Sequence, residues 1–143
     1  MADVRRFPGS RRQPHFAQDA LRDSLAAVGI EYRWIPELGG RRRPRPDSPN
    51  TAWRNASFRG YADHLSSAEF AAGLESLLEL SQGMRTTLMC AEAVWWRCHR
   101  ALIADVLRVR GIDVFHIADE KRSVLHPYTS PARVRRGRLS YAA

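Results

Sequence analysis

The chain has 143 residues, of which 44% are hydrophobic and 27% charged, and its formal net charge is +8. It is long enough to bury a core without disulfide or metal staples and too apolar for a disordered chain. It contains no run of about 18 apolar residues that could span a bilayer, and the start, Met-Ala-Asp-Val-Arg-Arg, lacks the apolar stretch of a secretory signal. A cytoplasmic protein with no membrane partner, its two cysteines reduced, is expected.

In chain order, residues 2–6 read as a strand broken by Pro8-Gly9. Residues 16–28 read as a helix, with Leu21, Leu25 and Val28 at helical spacing and Gly29 as its C-cap. Residues 30–35 are the second strand, followed by a basic Gly/Arg/Pro-rich loop over 36–50 and a short helix over 58–65. Ser66 with Glu69 forms a capping box for a helix to about Gln82, whose stripe is Phe70, Leu74, Leu77 and Leu78. Residues 85–90 form a strand, 93–110 a helix and 112–117 another strand. The remainder, with Arg133, Arg135, Arg136 and Arg138, reads as a loose basic tail. Strands alternating with helices predict an α/β fold: a small open, mainly parallel sheet with helices packed on its faces. One domain over 1–131 and a tail over 132–143 are expected. The first strand begins almost at Met1, so the fold reads as short at its N-terminus.

In open parallel sheets, ligands bind at the carboxyl ends of the strands. Each predicted strand there leads into basic or reactive residues: Arg5, Arg6, Arg11, Arg12 and His15; Glu37 and Arg41, Arg42, Arg43 and Arg45; Cys90, Glu92 and Arg97; His116, Lys121 and His126. A positive rim around a cysteine points to an anionic small molecule. Of 23 Lys and Arg residues only Lys121 is lysine, which suits phosphate or carboxylate recognition, though coding composition also produces such a ratio.

Cys90, at the end of a strand and the start of a helix, is a candidate nucleophile; the alternative is a small apolar residue closing the strand. Its spacing to Arg97 has one residue too many for a phosphatase loop. Glu92 is a candidate general base or a carboxylate placed by the helix dipole. Arg5, Arg6, Arg97 and Arg100 are candidate anion holders, and His99, His116 and Tyr61 further site candidates. Cys98 and His99 with Cys90 and a later histidine also suggest zinc, weakly, because no Cys-x-x-Cys or His-x-x-x-His pair occurs. Trp34, Trp53, Trp95 and Trp96 read as core residues before base-stacking platforms.

The segments Asp3-Val-Arg-Arg-Phe-Pro-Gly-Ser10, Gly29-Ile-Glu-Tyr32, Pro36-Glu-Leu-Gly-Gly40, Phe58-Arg-Gly-Tyr-Ala-Asp63, Met89-Cys-Ala-Glu92, Arg97-Cys-His-Arg100, Leu102-Ile-Ala-Asp105 and His116-Ile117 resemble the family known as domain of unknown function 488, found in bacteria and archaea. The resemblance extends to about Pro131. It implies a small α/β protein and assigns no activity. It also implies a strand and helix ahead of Asp3 that this sequence does not contain.

Three functions follow as expectations. The leading one is an enzyme or binding protein for a phosphate-bearing or otherwise anionic small molecule, with its site around Cys90 and Glu92. The second is a nucleic-acid-binding module using the arginine-rich loops and tail. The third is a zinc-stabilised structural domain.

Overall fold

The computed structural model describes residues 1–143. The chain divides into two compact units, one of Met1–Gly40 with Ser67–Ala91 and the other of Arg41–Ser66 with Glu92–Ala143. The fold is a small α/β arrangement of four α-helices, one three-stranded parallel sheet and two antiparallel pairs. No helix is long and apolar enough to cross a membrane.

The first unit holds the parallel sheet, ordered β2-β1-β3, with β1 (Ala2–Asp3) between β2 (Arg33–Trp34) and β3 (Leu88–Met89). Hydrogen bonds from Val4 N to Met89 O and from Ile35 N to Asp3 O, both 2.9 Å, carry the pairing past the strand ends. As the central strand, β1 is wholly buried, Asp3 included. Helix α1 (Gln18–Ala26) follows a 3-10 turn over Pro14–Phe16 and inserts Leu21. Gly29, at φ +77°, takes the left-handed conformation after the helix that a side chain disfavours. A later helix of the same unit (Ala68–Gly83, α3 below) buries Phe70, Leu74 and Leu77, as the periodicity predicts. Its cap is Ser67, one residue beyond the predicted Ser66: the Ser67 hydroxyl accepts from Phe70 N at 3.0 Å. Ser66 instead donates to Asp63 O.

The second unit carries α2 (Ala56–His64), capped by Asn55 Oδ1, and α4 (Arg100–Val109), whose residues 101–105 and 107 are buried. Three sequence expectations change here. The helix predicted over 93–110 starts only at Arg100, and Trp95–Arg97 form a 3-10 turn. The strand predicted over 112–117 does not join the parallel sheet; β4 (Phe115–Ile117) pairs antiparallel with β5 (Ser123–Leu125). The predicted loose tail contains a hairpin, β6 (Arg133–Arg135) with β7 (Arg138–Ser140), and Tyr141 beyond it is 2% exposed.

The basic loop after Gly40 is tied down. Asp63, from α2, accepts from Arg45 N at 2.8 Å, Ser48 Oγ at 2.6 Å and Asn50 Nδ2 at 2.7 Å. Burial alone would raise the Asp63 pKa, but these hydrogen bonds outweigh it and the carboxyl stays below its ordinary value.

Candidate active site

The carboxyl edge of the parallel sheet was the expected ligand site, and its most buried cation is already engaged. Arg5 Nε and Nη2 bind Asp3 at 2.9 and 2.7 Å, and Nη1 donates to Phe16 O at 2.8 Å. Tyr32 donates its hydroxyl to the same carboxylate. The hydrogen bonds to Asp3 raise the Arg5 pKa, and burial raises that of Tyr32. This cluster holds the end of β1 together, so Arg5 has a structural role. Arg6 is exposed, its guanidinium 5.6 Å from the Phe7 ring centre. Gly39 packs closely on the Arg6 backbone: a Cβ there would fall 2.8 Å from Arg6 Cα.

Cys90 follows β3 directly and is half-buried. The α-helix expected immediately after it begins only at Arg100, which removes the helix N-terminus that was to favour its thiolate. Glu92 is exposed and outside any helix, and its carbonyl accepts from Arg100 Nη2 at 2.6 Å. Arg97 is exposed in the 3-10 turn.

The thiol at a helix N-terminus is Cys98, 2% exposed. Arg100 N and Nε reach its Sγ at 3.4 and 3.3 Å, and His99 Nδ1 lies 3.6 Å away. The sulfur therefore occupies the place where an anion would bind the first turn of α4, acting as a cap. Tyr61, 1% exposed, has its ring 4.9 Å from His99 and 5.5 Å from His64.

The chemistry of this unit gathers on a chain of three side chains. Asp105, on α4 and fully buried, accepts from His126 Nε2 at 2.9 Å. His126 Nδ1 lies 2.7 Å from His116 Nε2, on β4. Asp105 also accepts from Thr129 N at 2.9 Å, Thr129 Oγ1 at 2.6 Å and the Tyr141 hydroxyl at 2.8 Å. With every neighbour donating, its side chain acts as carboxylate and His126 must carry its proton on Nε2. His126 Nδ1 is then an acceptor, so His116 donates from Nε2 and keeps a lone pair on Nδ1. Arg108 Nη1 fixes the His126 backbone, donating to its carbonyl at 2.7 Å. The Trp95 ring stacks on His116, 4.4 Å between centres and 6° from parallel.

Burial lowers the His116 pKa to about 4; His126 and Arg100 push the same way, while Cys98 opposes them. Near neutral pH the ring is therefore an uncharged base beside the arginine at the start of α4. In the unfolded chain the same ring titrates near 6.5, so between those values the unfolded state binds the extra proton. Stability is expected to be level above pH 6.5 and to fall as pH drops from 6.5 toward 4. The fall is about 1 kcal/mol once solvent screening of this half-exposed ring is allowed for. A urea-unfolding series across pH measures it, with His116→Gln expected to flatten that window. An unchanged profile in the variant would show that His116 is not the group responsible. Asp63 does not interfere, because its depressed pKa contributes above 3.8 and is lost only below.

Sequence reasoning placed His116 among the candidates and named His126, but missed Asp105, Thr129 and Tyr141. The available signal was one acid inside the apolar run Ala101-Leu-Ile-Ala-Asp-Val-Leu107, since such an acid is rarely buried without partners. No group of three or more His, Cys, Asp or Glu side chains is placed to hold a metal ion.

A short parallel sheet with helices and two antiparallel pairs defines a small α/β protein. The chain belongs to the family described as Domain of unknown function DUF488, whose model matches residues 1–107. That match takes in Asp105, while His116, His126 and Tyr141 lie beyond it. No curated protein and no solved structure matches the chain.

Proposed function

We propose that this protein is an enzyme acting on an anionic, phosphate- or carboxylate-bearing small molecule, with His116 Nδ1 as the proton acceptor and Arg100 as the anion holder. The carrying observation is the hydrogen-bonded chain Asp105–His126–His116, which leaves one lone pair oriented and uncommitted. A proton taken at Nδ1 makes an imidazolium whose Nε2–H is already directed at His126, and the Asp105 carboxylate stabilises positive charge along the chain. His116 is too weak a base when the site is empty, partly because of Arg100. An anion bound at Arg100 offsets that charge and raises the basicity of His116, so base strength and substrate binding are coupled. The site moves from the expected Cys90–Glu92 region to these residues. Cys98 is buried under Arg100 and serves as a cap rather than a nucleophile.

The test combines binding and turnover. Inorganic phosphate is titrated while the imidazole resonances are followed by NMR, and p-nitrophenyl phosphate is supplied as a reporter substrate. Saturable shifts at His116, lost in Arg100→Gln, are expected. Turnover of a reporter should fall by about 10²- to 10⁴-fold in His116→Gln, the range general-base residues contribute. Turnover indifferent to His116, or no resonance shift with phosphate, overturns the proposal.

A further inference from the structure

The hairpin near the C-terminus has a charge pattern that its own fold does not explain. Arg133 faces Ser140 across the ribbon, Val134 faces Leu139, and Arg135 faces Arg138. Cross-strand partners share a face, so Arg133, Arg135, Arg138 and Ser140 line one side and Val134 and Leu139 the other. On that polar side two arginines stand directly opposite each other, an arrangement that destabilises an isolated ribbon. No acid relieves it: none of the ion pairs involves Arg133, Arg135, Arg136 or Arg138, and the sequence contains no Asp or Glu after Glu120. Arg133 only donates to the carbonyls of Ser130 and Ala132.

The turn adds a second, independent cost. Arg136 and Gly137 occupy its two central positions at φ +49° and +72°, the geometry of a type I′ turn. Glycine accepts that conformation freely, but a side chain such as arginine pays about 1 kcal/mol, and asparagine is the residue this position favours. A fourth positive charge thus stands at the tip at the expense of turn stability. The ribbon is also anchored rather than loose. Just after β7, Tyr141 donates to Asp105, its carbonyl accepts from Ala52 N at 2.9 Å, and Ala143 N donates to Thr51 Oγ1 at 3.1 Å.

We infer that the β6–β7 ribbon binds the phosphate backbone of duplex DNA through Arg133, Arg135, Arg136 and Arg138. Four exposed cations carried on a narrow two-stranded ribbon suit a line of phosphates, and the B-form major groove admits a ribbon of this width. The deep, narrow major groove of duplex RNA does not. Phosphate contact resolves both anomalies, because it neutralises the Arg135–Arg138 repulsion and uses the charge at the tip. This surface is separate from the histidine chain and does not depend on the catalytic reading.

The experiment measures fluorescence anisotropy of a labelled DNA duplex of about 20 base pairs with the full chain, between about 50 and about 200 mM salt. With three to four phosphates neutralised, log affinity should fall against log salt with a slope of about −3, or roughly 60-fold across that range. Arg135→Gln with Arg138→Gln should weaken binding and reduce the slope by about two without lowering the melting temperature, since a repulsive pair is removed. Arg136→Asn should reduce the slope by about one and raise the melting temperature. His116→Gln should bind as the parent does. The inference is overturned if DNA is not bound at low salt, if the double variant binds unchanged, or if vesicles containing phosphatidylserine are bound and the duplex is not.

Discussion

Replacing Asp105 by alanine is expected to prevent folding of the unit formed by Arg41–Ser66 and Glu92–Ala143. This one carboxylate accepts four hydrogen bonds, from His126, both donors of Thr129, and Tyr141, and these three residues are at most 9% exposed. The contacts join α4 to the segment after β5 and to the end of the chain. Each buried donor left without a partner costs about 1–3 kcal/mol. Rotation of the Thr129 hydroxyl and partial entry of water recover some of this, leaving a loss on the order of 5 kcal/mol. That equals the total stability of many domains. Asp105→Asn keeps one acceptor oxygen but turns an amide toward groups that also donate, so a smaller loss of about 2–3 kcal/mol is expected. Circular dichroism with urea unfolding ranks the three proteins. An alanine variant that melts within a few degrees of the parent would mean that the carboxylate is not the hub of this unit.

The parts of the fold legible in the sequence are those fixed by local periodicity. The stripe Phe70, Leu74 and Leu77 and the approximate limits of α3 follow from spacing, and Leu21 marks the buried face of α1. The start of α4 was not legible, because residues 93–98 offer no Ser, Thr, Asp or Asn to cap a helix. Stacking of Trp95 on His116 accompanies the 3-10 turn there, a long-range contact that local propensity does not contain. The direction of β4 was misread because an apolar run has the same appearance in parallel and antiparallel sheets. The turn that decides it was visible: Asp119 accepts from the backbone of Lys121 and Arg122, the usual habit of aspartate in a turn. In the candidate site, His116 stood out by residue type, by its place at a strand end and by the family resemblance of His116-Ile117. Asp105 looked like one residue of a helix, and its role depends on partners 21 to 36 residues away in the chain.

Gly60→Ala is expected to destabilise the same unit by about 3 kcal/mol, although alanine is the better helix former. In a free helix the exchange stabilises by up to about 1 kcal/mol. Here α2 lies against the basic loop: a Cβ at Gly60 would fall inside the contact shell of Arg42 O, 2.6 Å from its carbonyl carbon and 2.7 Å from that of Arg43. Both neighbours are backbone, so no side-chain rotation relieves the overlap. The loop would have to lift, which strains its three hydrogen bonds to Asp63, one turn further along α2. Overpacking costs about 1–3 kcal/mol, and each hydrogen bond contributes about 1 kcal/mol net, so the two effects together exceed the gain in helix propensity. Gly83, the last residue of α3, provides the control, with nothing within 4 Å of its would-be Cβ. Gly83→Ala should leave stability unchanged or slightly raised. If Gly60→Ala matched it, the Arg41–Asn50 loop would not be held against α2, and its arginines would be a mobile fringe. If it melts early, as expected, the close approach of Gly60 to the loop backbone is what holds that string of arginines in place.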